Sequence, residues 1–331
     1  MGLDWAGKSF STAQEIQMTT STAVSLRQVT GDLHQLLREA AKDTPRFLFR
    51  KSTSTSGGDA RLNTVDKITP RALLDLEDGL QSIDDFREDK LVALWNLHYR
   101  GKDVDTPFSS WSASQKYVLS MASDVTGFAS MAAHAVGPPH DALISVLDTT
   151  KLGAKHLAVW TSHPLVKARR DLEGRDNEFL VFGVVQGAAH SAVKATILWQ
   201  NGLPQLYPKV DHRPSPQQQI FIATHIAALF GQDFALPITC YLLARRPYGP
   251  IPTSYATWQD LHSELVPLLV RHFGIQDGQL YDVGAQFTNL MAQSSDVAEA
   301  LNLLTTVTSG AGRIDTNERN DNLVPGSSAS R

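Results

Sequence analysis

The chain has 331 residues, of which 42% are hydrophobic and 19% are charged. This composition supports a buried core over most of the chain and excludes a largely disordered protein. The net charge is −4 and Cys240 is the only cysteine, which excludes a global basic field for nucleic acid, an intramolecular disulfide and a cysteine metal cluster.

The two ends of the chain are polar and lack regularly spaced hydrophobic residues. We predict a disordered leader at residues 1–29 and a disordered tail at residues 309–331. The start lacks the basic-then-apolar order of a secretory signal, and no apolar run reaches the roughly 20 residues that span a bilayer. We therefore expect a cytoplasmic protein without membrane contacts.

Helical and strand patterns alternate between residues 30 and 212, and we predict one α+β domain there. Helical spacing covers residues 32–41, and a strand begins at Phe47 after Pro45. A second helix is predicted from Ile83 or Asp84 to about Arg100, with Ser82 or Asp85 as its N-cap. Further strands are predicted at residues 142–147, 157–160 and 178–185, followed by a strand or helix at 192–198.

The pattern changes after about Pro214. Residues 217–230, 239–243, 255–273 and 283–307 have helical spacing and are separated by prolines. We therefore predict a helical region at residues 213–308.

One set of candidate site residues lies on three predicted strands. Arg50 ends the first strand, Ser109, Ser110 and Ser112 follow in the segment after residue 107, and Glu178 opens a later strand. An arginine at a strand end can hold an anion with its guanidinium fork. Hydroxyl groups can orient a sugar, and a carboxylate can stabilise a developing cation. The three strands together predict a cleft for an anionic, sugar-bearing substrate.

A second candidate is the acidic cluster formed by Asp84, Asp85 and Glu88. In a single helix, Glu88 shares a face with both aspartates, at spacings of three and four residues. Carboxylates gathered in this way can grip an arginine guanidinium, bind a cation such as Mg²⁺, or share acid and base catalysis. The alternative is an acidic first helical turn that the helix dipole favours.

The order of arginine, Ser-x-Ser and glutamate resembles the ADP-ribosyltransferase fold. The segments Phe47-Leu-Phe-Arg50, Pro107 to Ser114 and Asn177-Glu178 resemble a fungal protein family with an ADP-ribosyltransferase-like core over roughly residues 45–200. Asp176 departs from the transferase pattern, which has glutamine or glutamate at that position when a protein side chain is modified. The resemblance implies an α+β fold with an ADP-ribosyltransferase-like mixed core and a helical C-terminal region.

The Asp84-Asp85-x-x-Glu88 motif in this context resembles the fungal arginine-containing cyclodipeptide synthases. These enzymes join arginine to a second amino acid as a diketopiperazine, taking both from aminoacyl-tRNA. The resemblance implies that Asp84, Asp85 and Glu88 are catalytic. From the predicted cleft we add Glu178 as a catalytic residue, with Arg50, Ser109, Ser110 and Ser112 as substrate-binding residues. Ser109 or Ser110 can hold an acyl intermediate. Basic residues at 167–170, Arg175 and 245–246 are candidates for tRNA contacts.

The implied partners are arginyl-tRNA and a second aminoacyl-tRNA, and no metal, cofactor or protein partner is predicted. Two alternatives stay open from the sequence. The first is an NAD-dependent mono-ADP-ribosyltransferase or NAD glycohydrolase that uses Arg50, the serines and Glu178. The second is a non-catalytic ligand-binding module of the same fold.

Overall fold

The computed structural model describes residues 32–53, 56, 61–74, 82–100, 105–115, 118–119, 142–176, 178–206, 215–244, 258–275 and 295–309. The predicted leader lies outside the described residues, as does the predicted tail except for Ser309. The fold is mixed α and β, as predicted. Its helices are α1 (Leu33–Ala41), α2 (Glu88–Arg100), α3 (Pro164–Ala168), α4 (Ala195–Gln200), α5 (Pro216–Ala228), α6 (Gln232–Leu243), α7 (Trp258–Phe273) and α8 (Ser295–Ser309).

The strands form small antiparallel sheets. They are β1 (Phe47–Ser52), β2 (Lys67–Ile68), β3 (Phe108–Trp111), β4 (Leu143–Asp148), β5 (Leu157–Trp160), β6 (Phe179–Phe182), β7 (Val185–Gln186) and β8 (His190–Lys194). The first sheet has the strand order β1-β4-β8, the second has the order β3-β6-β5, and β2 pairs with β7. Neighbouring strands in every pair run antiparallel.

The two three-stranded sheets pack face to face, and helices cover their outer faces. Alternation along β1 sends Leu48 into the cluster between the sheets, where it meets Trp111 of β3 and Val181 of β6. The opposite face of β1 carries Phe47 and Phe49, which join a cluster with helices α5 to α8. The outer face of the second sheet is covered by α1 and α2. The molecule is therefore layered as helices, sheet, sheet and helices.

The two sheets touch at one backbone bridge. The Phe49 nitrogen donates to the Ser112 oxygen at 2.7 Å, and the Ser112 nitrogen donates to the Phe49 oxygen at 2.8 Å. Beyond this bridge β1 and β3 belong to different sheets. Arg50 and Ser110 lie next to the bridge, so the chain opens a cleft where the sheets separate.

Two predicted strands differ from the structure in their bounds. The predicted strand at residues 178–185 is interrupted at Gly183, whose φ of 96° is open to glycine but strained for other residues. A Cβ at Gly183 would also lie 2.6 Å from Cδ2 of His156. The segment 192–198 contains both predicted structures, because β8 ends at Lys194 and α4 begins at Ala195.

The predicted helix from Ile83 to Arg100 is wrong as a single element. Residues Ile83–Asp85 form a short 3₁₀ turn, Phe86 has extended dihedral angles, and α2 begins only at Glu88. A capping box begins the short turn, in which the Asp85 carboxylate accepts a hydrogen bond from the Ser82 nitrogen at 2.7 Å, and the extended backbone at Phe86 ends it. Asp84 and Asp85 therefore do not share a helical face with Glu88.

The elements described after residue 215 are helices. Ser215 and Gln218 form a capping box at the start of α5. Helix α6 begins at Gln232, well before the predicted start at Thr239, and it contains Pro237. Buried side chains of these helices share a hydrophobic cluster with Phe47, Phe49 and Ile144 of the first sheet. The helical region and the first sheet therefore share one core.

Candidate functional site

A cavity of about 570 Å³ lies in the cleft beside the sheet bridge. Arg50, Ser110, Ser112 and Glu178 line it, together with Arg175 and other residues. The structure thus brings four of the sequence-predicted site residues to one place. We refer to this space as the larger cavity.

Arg50 joins the two sheets across the cleft. Its Nη1 donates to the Ser110 carbonyl at 2.6 Å, and its Nη2 donates to Oδ1 of Asn63 at 3.3 Å. Its Nε is buried without a hydrogen-bond partner among the described residues. Burial lowers the pKa of Arg50 to about 10, although the Glu178 carboxylate opposes this shift. The guanidinium remains charged at neutral pH and keeps one donor for a ligand.

Glu178 is the acidic group of the larger cavity. It lies directly before β6, and its side chain is only 14% exposed. The Arg175 Nε lies 4.0 Å from its Oε2, which has no hydrogen-bond partner among the described residues. Burial and the Glu178 carboxylate raise the pKa of the Tyr99 hydroxyl, which is also buried. Glu178 thus presents an acceptor oxygen that a cationic substrate group can satisfy.

The three predicted serines have different environments. Ser109 is buried, accepts a hydrogen bond from Trp111 Nε1 at 2.8 Å and lies 3.4 Å from the Val181 carbonyl. The Ser112 hydroxyl accepts from the Ser114 nitrogen at 3.1 Å. Ser110 is the serine that faces a base. Ser109 and Ser112 have local structural contacts, and Ser110 is the candidate nucleophile.

The base beside Ser110 is His98, which sequence reasoning did not place in the site. Its Nε2 lies 2.8 Å from the Ser110 Oγ, and its Nδ1 lies 3.0 Å from the Thr106 Oγ1. When Nδ1 carries the proton, it donates to Thr106 and leaves Nε2 to accept from the serine hydroxyl. The signal in the sequence was a histidine on the inner face of α2, which also carries Leu91 and Trp95.

The electrostatic surroundings keep His98 neutral. Burial lowers its pKa to about 4, and the charges of Arg50 and Arg175 contribute to the same shift. The imidazole therefore remains unprotonated over the whole neutral range. A neutral imidazole at hydrogen-bond distance from a hydroxyl is the arrangement that activates a serine for attack on an acyl group.

A smaller cavity of about 230 Å³ lies on the other side of Arg50 and Ser110, which line both spaces. His98 and Thr106 line the smaller cavity, as do Thr69 and several apolar residues. Ser110 is therefore reached from both cavities, and His98 from the smaller one.

The acidic cluster lies apart from both cavities. Asp84 pairs with Arg38 and accepts a hydrogen bond from the Ser82 hydroxyl at 3.1 Å. Glu88 pairs with Arg169 at 2.8 Å. Glu88 begins α2 and His98 lies ten residues later, so the two residues are roughly 15 Å apart along the helix. With the Asp85 cap, each predicted acidic residue has a local structural partner.

The predicted basic contacts have acidic neighbours in the structure. Lys167 pairs with Asp176 at 3.1 Å, and Arg169 pairs with Glu88 and with Asp171. Arg175 differs, because it lies at the larger cavity with its guanidinium 5.3 Å from the centre of the Tyr99 ring. Residues 245–246 lie outside the described residues.

The described residues contain neither a metal-binding cluster nor a helix that could span a membrane. Within the described ranges, no group of three or more histidine, cysteine, aspartate or glutamate residues is arranged to hold a metal ion. Among the helices in those ranges, none combines the length and the apolar character that crossing a membrane requires.

Comparison with known proteins gives one match. Residues 43–192 match a family model described as a domain of unknown function, DUF7587. No curated protein matches the chain, and no solved structure matches it. The matched range contains Arg50, His98, Ser110 and Glu178, so the whole candidate site lies inside it.

Proposed function

We propose that this chain is an acyl-transfer enzyme that forms an arginine-containing cyclodipeptide from arginyl-tRNA and a second aminoacyl-tRNA. The observation that carries the proposal is the 2.8 Å contact between His98 Nε2 and Ser110 Oγ, because Ser110 also lines the larger cavity together with Glu178. A serine paired with a neutral base favours acyl transfer over simple ligand binding. The choice of arginine rests on the buried Glu178 acceptor in the larger cavity, and the use of aminoacyl-tRNA rests on the resemblance to cyclodipeptide synthases, whose motif residues Asp84, Asp85 and Glu88 line neither cavity.

The first step loads arginine onto the enzyme. The Ser110 Oγ attacks the ester carbonyl of arginyl-tRNA, and His98 Nε2 takes the hydroxyl proton. The carbon–oxygen bond to the tRNA ribose then breaks, and the ribose oxygen leaves with the proton from His98. The ester bond is already activated, so the step needs no nucleotide or metal. The product is an arginyl ester on Ser110.

Glu178 supplies the contact for the arginyl group in this step. Its Oε2 is buried and has no hydrogen-bond partner in the described part of the chain. A guanidinium is the donor that matches a carboxylate most closely, because both are planar and can pair through two bonds. The larger cavity is therefore the place for the arginine side chain, with Ser110 at its wall.

Two further steps complete the ring. The α-amine of the arginyl ester attacks the ester carbonyl of the second aminoacyl-tRNA, and the second tRNA leaves with a proton. The new terminal amine then attacks the ester carbonyl on Ser110, which releases the cyclodipeptide and restores the serine hydroxyl. Both steps join groups that the cleft already holds together, and this proximity lowers the entropic barrier.

The test is mass spectrometry of the products from purified chain with arginyl-tRNA and a mixture of aminoacyl-tRNAs. The wild-type chain is expected to release an arginine-containing diketopiperazine, and Ser110→Ala is expected to abolish it. Ser191→Ala is the matched control, because Ser191 lies on β8 and lines neither cavity. No diketopiperazine from folded wild-type chain, or full activity of Ser110→Ala, contradicts the proposal.

A second candidate function is NAD-dependent ADP-ribosyl transfer or NAD hydrolysis. Arg50, Ser110, Ser112 and Glu178 line one cavity, as this chemistry would require of residues that hold a phosphate, a ribose and a developing cation. This arrangement also supports the proposal of an ADP-ribosyltransferase-like core. Release of nicotinamide from NAD by the purified chain, lost in Glu178→Gln, would favour this candidate over the first.

A further inference from the structure

We propose that the smaller cavity binds the side chain of the second amino acid and selects an uncharged side chain with a hydrogen-bonding group at its end. This inference rests on the proposed function. It starts from the position of Ser110 and Arg50, which line both cavities. An acyl group on Ser110 is accessible from both spaces, so the two side chains of the product have separate places.

The available carboxylate assigns the two side chains to the two cavities. The larger cavity has three cationic and two acidic lining residues, namely Arg50, Lys51, Arg175, Asp176 and Glu178. The buried Glu178 Oε2, which has no hydrogen-bond partner among the described residues, is the acceptor for the arginine side chain. The smaller cavity has no carboxylate among its described lining residues, so a cationic side chain there would be buried without an acidic partner. The smaller cavity is therefore the place for the partner of arginine.

The two arginines of the smaller cavity also have acceptors of their own. Arg50 donates to the Ser110 carbonyl and to Asn63 Oδ1. Arg71 pairs with Asp105 through its Nε at 3.0 Å. The Asp105 carboxylate offsets the charge of Arg71, and the Glu178 carboxylate acts electrostatically on Arg50, so the attraction of the smaller cavity for a carboxylate side chain is reduced. Neutral side chains are left as the favoured class.

The walls of the smaller cavity combine apolar surface with one buried hydroxyl. Leu62, Ile68 and Phe108 provide apolar contacts. Thr69 is only 5% exposed, and its Oγ1 has no hydrogen-bond partner among the described residues. A buried polar atom without a partner costs stability unless a ligand or water satisfies it. A side chain with an apolar body and a polar end supplies that partner.

Competition between two substrates that differ by one hydroxyl tests this inference. Purified chain receives arginyl-tRNA with equal amounts of tyrosyl-tRNA, phenylalanyl-tRNA and lysyl-tRNA, and the products are counted by mass spectrometry. We expect tyrosine to be preferred over phenylalanine and lysine to be least used. Thr69→Val should lower the tyrosine-to-phenylalanine ratio at least about tenfold, because the site loses its hydroxyl partner. Thr69→Ser, which retains the hydroxyl, should preserve the ratio.

A binding measurement separates failure of this inference from failure of the proposed function. Tyrosinamide, phenylalaninamide and lysinamide are titrated into the wild-type chain by calorimetry, which needs no turnover and no variant. Tighter binding of tyrosinamide supports the pocket even if no cyclodipeptide forms. Equal binding of all three amides overturns the inference, as does an unchanged product ratio in a folded, active Thr69→Val variant.

Discussion

Arg50 donates a 2.6 Å hydrogen bond to the backbone carbonyl of Ser110, and this contact connects the two sheets where they diverge. The same guanidinium donates a hydrogen bond to Asn63 and interacts electrostatically with the Glu178 carboxylate. One side chain therefore fixes the strand that carries the candidate nucleophile and sets the electric field around it.

Replacement of Arg50 by lysine should impair both catalysis and stability. A single ammonium cannot reproduce the fork that reaches the Ser110 carbonyl and Asn63. We expect cyclodipeptide formation to fall at least about 100-fold and the free energy of unfolding to fall by about 1–3 kcal/mol. Product mass spectrometry and urea denaturation measure the two effects. A fully active Arg50→Lys variant would show that the reaction does not require the guanidinium.

The activity should persist at mildly acidic pH, because the pKa of His98 is lowered to about 4. Replacement of Arg175 by glutamine removes one of the positive charges that lower this pKa. The acid limb of the pH–rate profile should therefore move to higher pH in the variant. The measurement is initial rate against pH for both proteins. An identical acid limb in the two profiles would show that His98 does not titrate in the reaction.

The same histidine should make stability dependent on pH. Below pH 6.5 an unfolded chain protonates His98 while the folded chain keeps it neutral, so the unfolded state binds more protons. As the pH falls from about 6.5 to about 4, the free energy of unfolding therefore decreases by on the order of 3 kcal/mol because of His98. In the His98→Gln variant, the free energy of unfolding should decrease less over this pH range. Urea denaturation at several pH values compares the two chains, and parallel curves would contradict the assignment.

Thr106 should act as a positioning residue for His98. Its Oγ1 lies 3.0 Å from the His98 Nδ1, and when it accepts the Nδ1 proton, Nε2 is free to accept from Ser110. We expect Thr106→Val to lower kcat about tenfold with little change in KM. Thr106→Ser is the matched control, because it restores the hydroxyl and should restore kcat. A merely structural role would change stability and leave kcat of the folded variant unchanged.

The acidic cluster provides a contrasting prediction. Asp84→Asn and Glu88→Gln remove ion pairs with Arg38 and Arg169 in which each carboxylate is exposed, and each pair is worth about 0–1 kcal/mol. We expect cyclodipeptide formation by the folded double variant to stay within about threefold of the wild type, because neither carboxylate lines a cavity of the site and Glu88 lies roughly 15 Å along α2 from His98. A complete loss of product by a folded double variant would show that these carboxylates are required for the reaction.

Much of the site could be predicted from residues that carry their own signal. Arg50, Ser110 and Glu178 each stand out as polar groups on a strand or at its edge, and they do line one cavity. The pairing of His98 with Ser110 could not be predicted, because it depends on how α2 packs against β3. The spacing of hydrophobic residues indicates which face of α2 is buried, but it does not indicate which strand packs against that face.

The acidic motif shows the opposite case. Its spacing predicted a shared helical face, but the backbone is extended at Phe86, between the aspartates and Glu88. The Ser-x-x-Asp spacing was present in the sequence, and Ser82 and Asp85 do form a capping box. That signal marks where a turn begins, and it does not show that the turn ends before Glu88.

The common core beneath the first sheet has a practical consequence for expression of the chain. The family match ends at residue 192, within β8, and leaves out the helices that cover the outer face of that sheet. A fragment cut at those limits would expose Phe47, Phe49 and Val146 to water, and such a surface favours aggregation. Truncation trials should therefore retain α5 and α6, because the segment that matches the family model is shorter than the unit that shares one core.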